Sequence, residues 1–137
     1  AECPGFARPP SLKHGHIGVY RQKQPGRNYV GVVVPVGVLS TKQMRRVATL
    51  AANYGSGAIR LTPWQNLLLP DIPDGFVETV KRQLVRGGLH HESTNVAGGL
   101  VACTGNTGCK WAATDTKGQA VGDVWWVVGA DGNKVTQ

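Results

Sequence analysis

The sequence predicts an α+β fold, an antiparallel sheet with two helices on one face, followed by a cysteine-bearing loop and a C-terminal tail. Three observations predict it. Short β-prone runs come in pairs around turn signals, and each pair is followed by a stretch of helical periodicity. The order along the chain is therefore β-β-α-β-β-α, a two-layer sandwich. At 137 residues the chain is one domain, or one domain plus a tail, able to bury a modest core.

Residues 1–15 are rich in Pro and Gly without periodicity and read as an extended arm. Ile17–Lys23 and Tyr29–Val34 are β-prone, and Gln24-Pro25-Gly26-Arg27-Asn28 between them is a hairpin signal. Pro35 ends the second run because it lacks the N–H that a central strand needs. Ser40 and Gln43 form a capping box, and Met44, Val47, Ala48 and Ala51 follow at the spacing of one helical face. Gly55 is expected to end this helix in a left-handed conformation.

Ala58–Thr62 and Asn66–Leu69 read as two further strands flanking Pro63-Trp64. Asp74 is placed to cap a second helix with Val77, Val80, Lys81 and Leu84 on one stripe, ended by Gly87-Gly88. A glycine-rich loop and a short helical stretch come next. In the tail, Val124–Val128 and Lys134–Thr136 flank Gly129-Ala130-Asp131-Gly132, which suggests a hairpin.

Composition bounds the function. Hydrophobic residues make up 41% and charged residues 17%, which is ordinary for a soluble globular chain and excludes a disordered one. No apolar run approaches a membrane span, and no basic-then-apolar leader opens the sequence, so no membrane partner or secretory signal is expected. Three cysteines are too few, and odd in number, for a disulfide framework, which points to a reducing, cytosol-like compartment. The 15 Lys+Arg against 8 Asp+Glu give a net charge of +7, suited to acidic partners and equally readable as a solvated basic surface. No run of five basic residues exists, which argues against nucleic acid.

Two stretches carry chemistry. In Cys103-Thr104-Gly105-Asn106-Thr107-Gly108-Cys109, two thiols lie in a loop of small residues and can reach one metal centre. Successive N–H groups of such a loop can also donate to inorganic sulfide. The spacing alone is equally consistent with chance pairing or half of a structural zinc site, and it is not that of the usual redox dithiol. In Arg60-Leu61-Thr62-Pro63-Trp64-Gln65-Asn66, alternation puts Arg60 and Thr62 on one face of a strand. A guanidinium beside a hydroxyl, with two amides past the turn, makes a carboxylate-binding edge. The bland alternative is an exposed polar face with Trp64 packed beneath. His14-x-His16 on the arm, His90-His91 in a polar loop and Trp125-Trp126 in the tail are read as solvation or packing.

Context narrows these alternatives. The run Gln22–Gly31 is followed in order by Val34-Pro35-Val36-Gly37, Tyr54-Gly55-Ser56-Gly57, Arg60-Leu61-Thr62, Gln65-Asn66 and the Cys103–Cys109 loop. This ordered set resembles the second ferredoxin-like half of ferredoxin-dependent nitrite reductases over residues 14–120. The resemblance implies an arm at 1–15, a ferredoxin-like half-domain at 16–90, the start of a cluster- and sirohaem-binding region at 91–120, and a divergent tail at 121–137. It implies an oxidoreductase family that reduces nitrite to ammonia with six electrons from ferredoxin, at a sirohaem coupled to a 4Fe–4S cluster. Ferredoxin is acidic and gives the basic surface a candidate partner.

The same resemblance assigns roles. Cys103 and Cys109 match the first pair of cluster cysteines. Arg60, Thr62, Gln65 and Asn66 match the strand and turn facing the sirohaem, and Thr104, Gly105 and Asn106 match the loop against the cluster. Such a cluster takes four thiolates. The family's later C-x3-C pair is not found after Cys109, Cys3 lies on the wrong side, and the nitrite-binding basic residues belong to the other half. The chain alone is therefore expected to hold no catalytic residue, to bind neither cofactor and to be inactive, with the remaining half as its partner. A cytoplasmic or plastid-like compartment follows. Sulfite reductases and cobalamin-pathway relatives are the alternatives within the family, and a basic nucleic-acid-binding or assembly module is the alternative outside it.

Overall fold

Turn chemistry sets the first hairpin. Gly26 takes φ 69°, a left-handed value that costs glycine little, and the Gln22 N–H donates to Arg27 O at 2.9 Å. This joins β1 (Gly18–Arg21) to β2 (Arg27–Val32) as an antiparallel pair, with Val19 opposite Val30 and Tyr20 opposite Tyr29. The computed structural model describes residues 16–92 and 98–121. The arm at 1–15, with Cys3 and His14, and the proposed tail hairpin lie outside the described residues.

The remaining elements are α1 (Thr41–Tyr54), β3 (Arg60–Leu61), β4 (Leu67–Pro73) and α2 (Val77–Arg86). The sheet is antiparallel in the order β1-β2-β4-β3, so the predicted β-β-α-β-β-α succession and the α+β class are borne out. Both helices lie on one face. Val30, Val32, Leu67, Leu69 and Ile72 from the sheet pack against Val47, Leu50 and Ala51 of α1 and Val80 and Leu84 of α2. Full burial of each such aliphatic side chain contributes about 1.5–3 kcal/mol. On the other face Val33 packs with Ile17 and Leu100, and a Cβ on Gly31 would stand 1.5 Å from His16 O. The chain before β1 thus lies directly against the strand there, which only glycine permits.

Several expectations are corrected. The capping box forms as read: the Gln43 N–H donates to Ser40 Oγ, and the Ser40 N–H to Gln43 Oε1. The buried stripe of α1, however, is Val47, Leu50 and Ala51, while Met44 and Ala48 face solvent. Leu50 outweighs alanine for a core position because it removes more apolar area from water. Gly55 is extended (φ −125°), not left-handed. Its requirement is space, because a Cβ would lie 2.7 Å from Pro70 O.

Asp74 does not cap α2. It opens a 3-10 turn (Asp74–Phe76), and its carboxylate accepts from Asn28 Nδ2 at 2.7 Å, fastening that turn to β2. β4 continues four residues past the predicted Leu69, to Pro73. The pairing shifts between Asn28↔Ile72 and Val30↔Leu69, so an additional β4 residue is accommodated there. Asp71 sits in that bulge at φ 63°, held by reciprocal hydrogen bonds to Gln22. His91 is buried rather than in a polar loop, and its Nδ1 has no partner among the described residues.

Candidate functional site

The cysteine loop is knotted by its own backbone. Gly105 adopts φ 69°, and its carbonyl accepts from the N–H groups of Gly108 (3.2 Å) and Cys109 (2.9 Å). Asn106 N–H reaches across to Thr114 O at 3.0 Å, and Thr107 Oγ1 donates to Thr104 O at 3.2 Å. Glycine is required at 105, where a Cβ would lie 2.9 Å from Thr116 N. Cys103 is exposed, Cys109 half-buried, and both are free thiols. Residues 116–121 form the short helical segment foreseen after the loop.

Hydrogen bonds favour the Cys103 thiolate. The Thr116 hydroxyl lies 3.1 Å from Cys103 Sγ and 2.9 Å from Cys103 O. That hydroxyl and then the Gly105 N–H lower the Cys103 pKa from the ordinary thiol value; desolvation opposes them, and the Lys117 ammonium adds a smaller lowering.

The loop is docked to the sheet by the β3–β4 turn. Gln65 sits in that turn at φ 59°. Its Nε2 donates to Ala102 O at 2.8 Å and its Oε1 accepts the Ala102 N–H at 3.3 Å, so one side chain pairs with backbone as a strand would. Asn66, 4% exposed, accepts the Val34 N–H at Oδ1 and donates to Gly98 O, both at 2.9 Å. Thr62 Oγ1 accepts the Asn66 N–H at 3.1 Å. The Lys117 ammonium completes the dock by donating to Val36 O and, at 3.2 Å, to Ala102 O, with Gln65 Oε1 at 3.5 Å.

The predicted residues therefore gather in one region, with different jobs. Gln65, Asn66 and Thr62 direct their polar atoms to backbone and fix residues 98–102. Arg60 is exposed on the edge strand, and Trp64 is 54% exposed rather than packed beneath the strand. Thr104, Gly105 and Asn106 shape the loop through the backbone bonds described above. Two contributors, Thr116 and Lys117, escape sequence reasoning. Nothing local marks them, since their partners lie 13 to 81 residues away.

The donor set decides what the site can hold. Thiolates suit zinc or iron–sulfur clusters. Among the described residues no group of three His, Cys, Asp or Glu side chains comes together. Cys103 and Cys109 thus fit half of a four-thiolate set, and no third ligand from the described residues joins them. No helix among the described residues is long and apolar enough to cross a membrane.

Comparison with known proteins agrees with this geometry. Residues 20–86 match the family model of the nitrite/sulfite reductase ferredoxin-like half domain. The chain is 38% identical over 109 residues to the ferredoxin–nitrite reductase of Synechococcus elongatus, a match that covers 80% of this chain and 21% of that protein. It is 37% identical over 114 residues to a sulfite reductase (ferredoxin) of Mycobacterium tuberculosis, covering 82% of this chain and 20% of the relative. Among solved structures, Mycobacterium tuberculosis NirA superposes with a TM-score of 0.73 at 33% identity, over 85% of this chain and 22% of NirA. The chain spans 18 to 22% of the length of these and other relatives. It carries the ferredoxin-like half domain of these enzymes and belongs to the nitrite/sulfite reductase family.

Proposed function

We propose that this chain supplies a ferredoxin-like half domain and one pair of cluster thiolates to a ferredoxin-dependent nitrite reductase. The observation that carries the reading is the C-x5-C loop, seated on the half domain by Gln65 and Lys117. In this reading a 4Fe–4S cluster and a sirohaem, when bound, would supply electron transfer and the reduction of nitrite to ammonia, with ferredoxin as the electron donor. The names of relatives support both the donor and nitrite, and one of them names sulfite instead.

The chain's own residues bind and orient. Cys103 and Cys109 would hold one side of the cluster, and loss of the Cys103 proton is favoured by Thr116, Gly105 and Lys117. Gln65, Asn66 and Thr62 are positioning residues that keep the loop from swinging away from the sheet. Arg60, exposed at the edge of β3, offers a guanidinium to a carboxylate of the sirohaem. Four thiolates are needed and two lie among the described residues, so in this reading the rest of the enzyme provides the others. By itself the described unit is a colourless protein without nitrite reductase activity.

The experiment is a hybrid enzyme. The matching segment of the Synechococcus elongatus ferredoxin–nitrite reductase is replaced by this chain, and the visible absorption of sirohaem and cluster is recorded. The hybrid is expected to be coloured, and Cys103→Ser or Cys109→Ser to remove the cluster contribution. A hybrid that keeps its cluster spectrum with both cysteines replaced contradicts the proposal.

A further inference from the structure

Lys117 is a half-buried cation set among neutral oxygens. Its ammonium donates to Val36 O and, at 3.2 Å, to Ala102 O, and lies 3.5 Å from Gln65 Oε1. The ion pairs among the described residues are Lys81 with Glu78 and the longer His91–Glu92 contact, so Lys117 has no carboxylate partner there. Asp115, two residues before it, accepts the Gly118 N–H at 3.0 Å instead.

The surroundings are shaped to keep the ammonium in place. Val36 is fully buried at φ 47°, ψ 25°, a left-handed conformation that a β-branched residue rarely adopts. Gln65 is left-handed as well, at φ 59°. Gly37 presses against it, since a Cβ there would stand 3.0 Å from Gln65 Cβ. Two strained residues thus meet around one cation, and such strain persists only where the surroundings over-determine it.

Hydrogen bonding alone does not call for a charge at this place. A neutral amide would satisfy the same oxygens without the cost of taking a cation out of water. An unmatched, half-buried cation is accounted for by negative charge arriving beside it. Ala102, whose carbonyl Lys117 holds, is followed directly by Cys103. Behind the Thr116 hydroxyl and the Gly105 N–H, the Lys117 charge also favours the ionised form of that thiol.

We propose that Lys117 is the countercharge to the cluster held by Cys103 and Cys109 and raises its reduction potential, an assignment that rests on the function proposed above. Reduction adds one electron, and so one unit of negative charge, with no bond made or broken. A fixed ammonium beside a ligand favours the more negative state, and partial burial keeps salt from screening it.

The test uses the hybrid enzyme described above, carrying Lys117→Gln, Lys117→Met or Lys117→Arg. Circular dichroism of each variant of the chain alone first establishes that it folds. The midpoint potential of the cluster is then read by redox titration followed by electron paramagnetic resonance. Lys117→Gln and Lys117→Met are expected to shift the one-electron equilibrium about tenfold towards the oxidised cluster, a fall of about 59 mV. Lys117→Arg keeps the charge and is expected to restore most of that potential.

An unchanged potential in the neutral variants overturns the proposal. An equal fall in Lys117→Arg does so too, because it traces the effect to loop geometry rather than charge. If the neutral variants fold but hold no cluster, retention of the cluster by Lys117→Arg supports the countercharge and its loss overturns it. An unaltered hybrid without a cluster spectrum overturns the proposed function and this inference with it.

Discussion

At the scale of single residues, the cysteine loop is governed by a few hydrogen bonds to sulfur and backbone. The folded pKa of Cys103 lies below its unfolded value, with the Thr116 hydroxyl as the largest cause. Ionisation of this thiol therefore favours the fold above the unfolded pKa, and that contribution disappears as pH falls through the folded pKa. Alkylation of Cys103 by iodoacetamide is expected to set in at lower pH than in the urea-unfolded chain. Thr116→Val is expected to move that onset upward; an onset identical in folded and unfolded protein would contradict this. Lys117 bears on the same loop through its ammonium. Lys117→Met leaves Val36 O and Ala102 O without this donor, which costs about 1–3 kcal/mol of stability. Hydrogen exchange at the Ala102 amide should accelerate in that variant, and unchanged exchange would show that Gln65 alone holds the loop.

Elements show why part of the architecture is legible in the sequence. α1 is readable because Ser40 and Gln43 cap it locally and its apolar positions recur at helical spacing; the choice of Leu50 over Met44 and Ala48 for the buried stripe needs the partner surface. Pro70 lacks an N–H and interrupts the run that ends at Leu69, yet a bulge at Asp71 lets the ladder resume beyond it. Asp74 looked like a cap, but Asn28, 46 residues away, claims its carboxylate. Local rules fail where a distant element offers the better partner. Gly55 is a further instance, since its need for a small side chain comes from β4 passing close by. Gly55→Ala places a Cβ 2.7 Å from Pro70 O and 3.1 Å from Ile72 Cδ1. Such overpacking costs about 1–3 kcal/mol, to be read as a lower urea midpoint. An unchanged midpoint would show that the α1–β4 junction yields freely.

For the whole molecule, the two-layer half domain acts as a platform. One face carries α1 and α2 with their basic outer surface, and the other meets residues 16–17 and 98–102, from which the cysteine loop extends. The cysteines and the β3–β4 turn were visible in the sequence because their residue types are chemically distinctive. The docking of one on the other was not, since it depends on Gln65 and Lys117 reaching across 37 and 81 residues. The charge total likewise suits an acidic partner and a solvated basic surface equally, and it does not show where the charge lies.

The central claim is that Cys103 and Cys109 are thiolate ligands of a cluster shared with the rest of a nitrite reductase. Its most direct measurement is cysteine alkylation of the coloured hybrid enzyme, read by peptide mass spectrometry before and after the cluster is removed by chelation. Cys103 and Cys109 should be unmodified while the cluster is present and modified after its removal. Alkylation of both at full cluster occupancy would contradict the account.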